Sequence, residues 1–292
     1  DCVCSRYHGT GKSEAFDLIR RFPPEKTLEF FKKLGLLTVE EDGGRIYPVS
    51  GTASSVLDVL RLACENLGVE VISNFKAISI HKNGNMLSVK SSDGREYAAS
   101  RVIVAAGGMA GAKFGCDGSA YKLTNLHKCT RLLPSLVQLK SDNRELRSLS
   151  GLRIDARVTA CGAEAEGEVL FTDFGLSGPA VFDVSRACAV ACAETGSAVL
   201  GLDFLPGLGM DELIYELQRR CCEFPGRTME DFLIGIFHRR IGFSIVKSAG
   251  ISPLSIKCGS LTEGQIRLLA ETIKNLKVKV YDTLSWQHAQ VT

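Results

Sequence analysis

The feature that most constrains the fold is a predicted β-meander that runs directly into an apolar strand. Short strand patterns cover residues 75–80, 86–90 and 95–98. Asn83-Gly84 and Asp93-Gly94 separate them. Both dipeptides favour tight hairpin turns because their residues tolerate positive φ. The almost continuous apolar run at 101–106 is typical of a strand inside a parallel sheet that is covered on both faces.

Two adjacent glycines, Gly107 and Gly108, end this apolar strand. Without a Cβ, a glycine lets backbone N–H groups approach a ligand closely. In an open α/β sheet, ligands bind beyond the carboxyl ends of the strands, which is where these glycines are expected. The alternative is a tight turn with no ligand, and on the two glycines alone this alternative is favoured, since glycine marks loops of every kind.

Helical patterns precede the meander, as expected for an α/β domain. One helix is predicted to begin at Pro24 and to stop at Gly35, and another follows Ser54 and stops at Gly68. The apolar residues 69–72 then predict a short strand. Residues 1–130 are therefore interpreted as part of a Rossmann-like α/β domain with a β-meander.

From residue 131 the pattern changes to a predicted inserted domain, 131–287, that combines a β-barrel-like part with helices. The β-rich parts are 131–205 and 276–287, with strands at 132–140, 151–159, 168–171, 199–204 and 276–281. A buried helix is predicted at 177–192 because it is apolar nearly all round. The helical part, 206–275, contains predicted helices at 211–222, 229–237, 241–248 and 262–275. Residues 288–292 begin the return to the first domain.

Composition limits the kinds of binding partner that we expect. The net charge is +2 with scattered basic residues, which gives no reason to expect nucleic acid or an acidic membrane. The 11 cysteines are odd in number and widely spaced, so we expect reduced thiols, a cytoplasmic protein and no metal site. No apolar stretch approaches the ~20 residues that span a bilayer.

Several motifs of the chain, in the same order, resemble those of the HI0933-like (also called BaiN-like) family of NAD(P)/FAD-dependent oxidoreductases. The glycine-terminated strand at 102–108 also resembles the signature of two-dinucleotide-binding-domain flavoproteins. The most specific motif is GLSGPA at 175–180. The others are YHG at 7–9, FF at 30–31 with LG at 34–35, GRIYPVS at 44–50, AAGG at 105–108, GCDGSAY at 115–121, PSLV at 134–137, LFT at 170–172 and AQVT at 289–292.

The resemblance implies FAD as cofactor, NAD(P)H as co-substrate, and transfer of hydride through FAD to a small organic acceptor. It places Ala77 at the adenine and the 105–108 segment on the nucleotide side. The 115–118 loop would approach the flavin, and the helix start at 177–178 would face the ring or the substrate. The implied cofactor-binding residues are Ala77, Ala105, Ala106, Gly107, Gly108, Gly115, Asp117, Gly118, Ser177 and Gly178.

The family's GxGxxG turn and its C-terminal glycine-rich segment do not stand in this sequence. We therefore expect a fragment of a longer flavoenzyme, whose incomplete sheet would favour self-association and which by itself offers only part of the FAD-binding site. The alternative is a truncated, inactive homologue that serves as a structural or binding module. Two further motifs, GTGKS at 9–13 and Ser177 in a near nucleophile-elbow spelling, lack the partners that a P-loop or an esterase needs.

Overall fold

The computed structural model describes residues 11–41, 44–123 and 128–292. The chain divides into two compact units, 1–75 and 76–292. The YHG motif at 7–9 lies outside the described residues, as do residues 9 and 10 of the GTGKS segment.

The first unit contains three helices and a hairpin. The helices are α1 (Lys12–Arg21), α2 (Pro24–Lys33) and α3 (Ser54–Asn66), and the antiparallel strands are β1 (Thr38–Glu41) and β2 (Arg45–Pro48). The predictions of helices from Pro24 and from Ser54 are confirmed, and Pro24 occupies the first turn of α2, where a proline costs no hydrogen bond.

The strand predicted at 69–72 is wrong. Residues 69–72 carry no regular structure, and the side chain of Val71 is 75% exposed. A strand exists only where a neighbour supplies its ladder of hydrogen bonds, and the described residues supply none to this segment.

The second unit begins with the meander, which is confirmed. It consists of β3 (Ala77–Asn83), β4 (Met86–Ser91) and β5 (Glu96–Ala99), paired antiparallel in that order. The strand predicted at 101–106 is wrong for the same reason as the one at 69–72. Residues 101–108 are irregular, and Ile103 is 91% exposed. The named strands that the structure describes pair only antiparallel, so they do not display the parallel sheet of a Rossmann-like domain.

The larger sheet of this unit closes on itself. Its strands are β6 (Leu139–Lys140), β7 (Arg153–Ala160), β8 (Ala163–Phe171), β9 (Gly175–Ser177), β10 (Ala198–Asp203), β11 (Leu276–Val280) and β12 (Asp282–Thr283), in the order β11-β10-β7-β8-β9-β6-β12. The two terminal strands are neighbours in sequence, separated by Tyr281, whose N–H bonds to Lys140 O at 3.1 Å. One stretch of chain thus pairs with β10 at one end and with β6 at the other, which makes the sheet a barrel. Most of the strand predicted at 132–140 is irregular; Ser135 forms an isolated bridge with Val291, and the end of the segment pairs as β6.

A long buried helix, α5 (Pro179–Thr195), contacts β6, β7, β8, β9, β10 and β12. Its buried residues include Val181, Val184 and Cys188. The predicted buried helix is confirmed. It is apolar on nearly all of its faces because it packs against six strands.

The helical part contains α6 (Met210–Glu223), α7 (Arg239–Ser248) and α8 (Glu263–Lys274), and a short α4 (Arg144–Arg147) lies between the barrel strands β6 and β7. Both α6 and α7 pack on α8. The helix predicted at 229–237 is wrong. Met229 N–H donates to Ile256 O at 3.0 Å and Glu230 N–H to Leu254 O at 3.3 Å, so these donors bond a neighbouring segment rather than an intrahelical carbonyl. Barrel and helices share one hydrophobic core.

Candidate functional site

Four of the five predicted cofactor-binding glycines, Gly107, Gly108, Gly115 and Gly118, lie in a closed loop, residues 107–118, which we call the glycine loop. Gly118 N–H donates to Gly108 O at 3.1 Å and so brings the two ends of the loop together. A Cβ on Gly108 would lie 2.5 Å from Thr292 Oγ1, closer than real atoms approach. Gly108 is thus required for a close approach, but in this structure the approaching group is a side chain of the same chain.

The predicted residue Asp117 links the glycine loop to β3. Its Oδ1 accepts the N–H of Ser119 at 2.9 Å, and its Oδ2 lies 3.9 Å from Lys76 Nζ. Hydrogen bonds from the side chain and the backbone of Ser119 lower the pKa of this exposed carboxyl, and Lys76 adds to the effect. Lys76 precedes Ala77, which opens β3 and is half-buried, so this predicted adenine contact stands close to the loop.

Ala105, Ala106 and Gly115 are exposed. Among the described residues, no backbone hydrogen bond joins residues 101–107 to another segment. Their N–H and C=O groups are therefore open to water or to a ligand. On the predicted nucleotide side, these accessible backbone groups are the ones that could form hydrogen bonds with a ligand.

Ser177 and Gly178 make their contacts elsewhere, at the junction of β9 and α5. Ser177 is 7% exposed and belongs to the barrel sheet. Gly178 has φ 106°, and a Cβ there would collide with Glu168 O of β8. Glycine is needed here because helix α5 begins in direct contact with the barrel strand β8. This structural role does not depend on a ligand.

Thr292 is the residue that the sequence reasoning did not assign to the site. Its Oγ1 accepts the N–H of Met109 at 2.8 Å and that of Ala110 at 3.1 Å. More than 180 residues separate the partners, so no local pattern predicts the contact. The only signal was its membership in the AQVT motif at 289–292.

The described histidines have local roles or face solvent. His238 Nδ1 caps α7 by accepting Arg240 N–H at 3.2 Å, and His288 Nδ1 lies 3.1 Å from Ser285 Oγ. His81 is exposed on β3, while His8 and His127 lie outside the described residues. Within residues 11–41, 44–123 and 128–292, no group of three metal-ligating side chains converges and no helix is long and apolar enough to cross a bilayer.

A closed antiparallel barrel joined to a small helical bundle defines the class of this protein, and comparison with known sequences agrees. Residues 133–291 match the family model described as HI0933-like protein barrel and H2TH domain. The chain is 31% identical, over all of its own length and 72% of the relative's, to the 3-dehydro-bile acid delta(4,6)-reductase of Clostridium scindens. The chain belongs to the HI0933-like family, and its likeness to a reductase supports an oxidoreductase in general.

Two more distant relatives carry a different name. Ribosomal RNA dihydrouridine synthase of Haemophilus influenzae is 23% identical over 71% of this chain and 51% of its own length. The Escherichia coli protein of the same name is 23% identical over 94% of this chain and 67% of its own length.

Proposed function

We propose that this chain forms part of a flavoprotein oxidoreductase that passes hydride from NAD(P)H through FAD to a small organic acceptor. The observation that carries the proposal is the glycine loop with its accessible flanking backbone, in a chain 31% identical to a reductase. Residues 76–118 would hold the nucleotide part of the cofactor.

The residues present suit such a group. The backbone of 101–107 offers accessible donors and acceptors, and no side chain beyond Cβ stands at Ala105 or Ala106 to block a planar ring or a ribose. The half-buried Ala77 presents only a methyl side chain on the adjoining strand. Bound flavin would supply two-electron hydride chemistry, while the protein's share is binding, orientation and exclusion of competing reactions.

The names of the relatives point to a chemical class of acceptor. A delta(4,6)-reductase of a 3-dehydro-bile acid acts on carbon–carbon double bonds conjugated with a ketone. A dihydrouridine synthase saturates the uracil double bond that is conjugated with a ring carbonyl. We infer that this protein also reduces a C=C bond conjugated with a carbonyl: hydride adds to the β-carbon, a proton adds to the α-carbon, and NAD(P)H is oxidised.

A small acceptor is favoured over RNA. Exposed basic side chains such as Arg153, Arg157, Arg219 and Arg239 are paired with nearby glutamates. Affinity for a polyanion depends on cations that are available to neutralise phosphates. Because these cations are paired, the net charge is only +2 and the basic residues are scattered along the chain, we propose a small molecule rather than a polyanion as the substrate.

The first test is the visible absorbance of the chain after it is mixed with FAD and separated from free flavin. We expect the bands of bound oxidised flavin, and we expect them to weaken in Gly108→Val, because a branched side chain cannot fit beside Thr292. Gly207→Ala is the matched control, since nothing stands within 4 Å of a Cβ at that position.

A chain that stays colourless with FAD would contradict the proposal for this polypeptide and would favour the alternative, a structural or binding module without catalysis. If flavin binds, a conjugated enone and a uridine-containing RNA are compared as acceptors under anaerobic conditions, with NAD(P)H oxidation as the readout. Turnover of the RNA alone would overturn the inference of a small acceptor.

A further inference from the structure

We propose that Thr292 is a positioning residue. It stands in the segment that follows the barrel strands in sequence, and its hydroxyl holds the glycine loop closed. The proposal rests on the proposed function only for its consequence, the binding of flavin. The tether itself is a geometric feature of the chain: one side-chain oxygen accepts two consecutive backbone N–H groups, Met109 at 2.8 Å and Ala110 at 3.1 Å.

The hydroxyl is well matched to this task. A threonine oxygen has two lone pairs, and two N–H donors occupy both, which leaves its own O–H as a donor. Gly108 makes room for this contact, since its missing Cβ would lie 2.5 Å from Thr292 Oγ1 and 3.0 Å from Thr292 Cβ. The glycine and the threonine therefore form one matched pair across the chain.

The position of Thr292 is fixed by its neighbours. Val291 and Ser135 exchange backbone hydrogen bonds at 3.1 and 3.3 Å, and Gln290 N–H donates to Leu136 O at 3.3 Å. Leu136 holds a positive φ of 49°, which is uncommon for a branched aliphatic residue and indicates that surrounding contacts impose it.

These contacts connect the tether to the barrel. Val137 N–H, next in sequence, donates to Ser185 Oγ of α5 at 3.3 Å, and Ser185 is fully buried. Leu284 N–H donates to Gln138 O at 2.9 Å. The two segments that enter and leave the barrel, 134–138 and 284–292, are thus paired, and the second ends on the glycine loop.

The glycine loop needs such a tether because it has little regular structure of its own. It contains one short turn, Ala112–Phe114, and its closure depends on the Gly118–Gly108 hydrogen bond and on Thr292. A loop that is already closed loses less conformational entropy when a ligand binds, so the tether should strengthen flavin binding without touching the flavin.

The test compares amide hydrogen exchange and FAD affinity in Thr292→Val and Thr292→Ser. Valine keeps the shape and removes the acceptor, whereas serine keeps the oxygen. In Thr292→Val we expect the amide hydrogens of Met109 and Ala110 to exchange roughly tenfold faster and FAD to bind several-fold more weakly. These magnitudes correspond to the loss of one or two hydrogen bonds at their net value. Thr292→Ser should restore both properties.

Ser285→Ala is the matched control. It removes a hydroxyl from the same returning segment, where Ser285 bonds His288 rather than the loop, and it should change neither property. Unchanged exchange in Thr292→Val, or failure of serine to restore it, would overturn the tether. If the wild-type chain binds no FAD, the flavin proposal fails, and faster exchange in Thr292→Val still supports the tether because it is measured without flavin.

Discussion

Lys274 Nζ, near the end of α8, lies 2.7 Å from Asp203 Oδ2, at the end of β10. The two side chains are only 15% and 12% exposed. The same ammonium donates to Leu205 O at 2.8 Å and to Leu208 O at 2.7 Å, so its three N–H donors all have acceptors. This one side chain joins the helical bundle to the barrel and to the loop that leads into α6.

We expect Lys274→Met to lower the free energy of unfolding by about 2 kcal/mol, because it leaves the charge of Asp203 unpaired and takes this donor from the Leu208 carbonyl in a shielded place. Urea denaturation followed by circular dichroism measures the change. Adding Asp203→Asn should recover part of the loss by removing the unpaired charge. Arg239→Met, which breaks an exposed pair with Glu230, should cost less than about 0.5 kcal/mol. Equal losses in Lys274→Met and Arg239→Met would contradict the role of burial.

Gly178→Ala tests the junction of barrel and helix. Gly178 has φ 106°, and an added Cβ would meet the carbonyl oxygen of Glu168. Strain and collision together should destabilise the protein by about 3 kcal/mol. Gly196→Ala is the control, since Gly196 also has positive φ but open space around it, and it should cost about 1 kcal/mol. Thermal unfolding that ranks the two variants equally would show that backbone strain alone acts at Gly178.

The sequence predicted elements whose signals are local. The hairpins around Asn83-Gly84 and Asp93-Gly94 form as expected, because turn residues act through their own φ and ψ. The helix from Pro24 and the buried helix α5 also form as expected. The closure of the barrel had a weaker signal, since the alternation of Leu276, Val278 and Val280 shows a strand but not its partners.

The failures share one physical cause. Residues 69–72 and 101–106 have apolar strand composition, but a strand needs a partner that composition does not reveal. Residues 229–237 carry helix-like spacing, yet the N–H groups of Met229 and Glu230, at its start, bond residues 256 and 254 of a segment about 25 residues away. In the candidate site, the glycines could be predicted from the motif, whereas the contact between Thr292 and Met109 depends on how the whole barrel returns the chain.

Two neighbouring cysteines should differ in reactivity. Cys221 is buried in the core, and burial raises the pKa of its thiol to about 12, whereas Cys222 is exposed on the outer side of α6. Alkylation requires the thiolate. Under native, mildly alkaline conditions, iodoacetamide should therefore modify Cys222 and spare Cys221, and both should react after denaturation. Peptide mass spectrometry distinguishes the two sites, and native labelling of Cys221 at the rate of Cys222 would show that α6 opens readily.

The buried thiols also predict how stability depends on pH. Burial raises the pKa of Cys188, like that of Cys221, from 9.0 to about 12. Between these values the unfolded chain releases a thiol proton that the folded chain keeps, so the free energy of unfolding should fall as pH rises above about 9, by up to about 1.4 kcal/mol per pH unit for each thiol. Below that pH both states keep the proton, and these thiols contribute no slope.

Urea denaturation at a series of alkaline pH values measures this slope. Cys188→Ala should make it shallower by the share of one thiol, whereas Cys222→Ala, which removes an exposed thiol, should leave it unchanged. Other groups that titrate in the same range are common to all three proteins, so the difference between variants isolates Cys188. The same slope in Cys188→Ala and in the unaltered chain would mean that Cys188 is not held as a neutral thiol in the folded core.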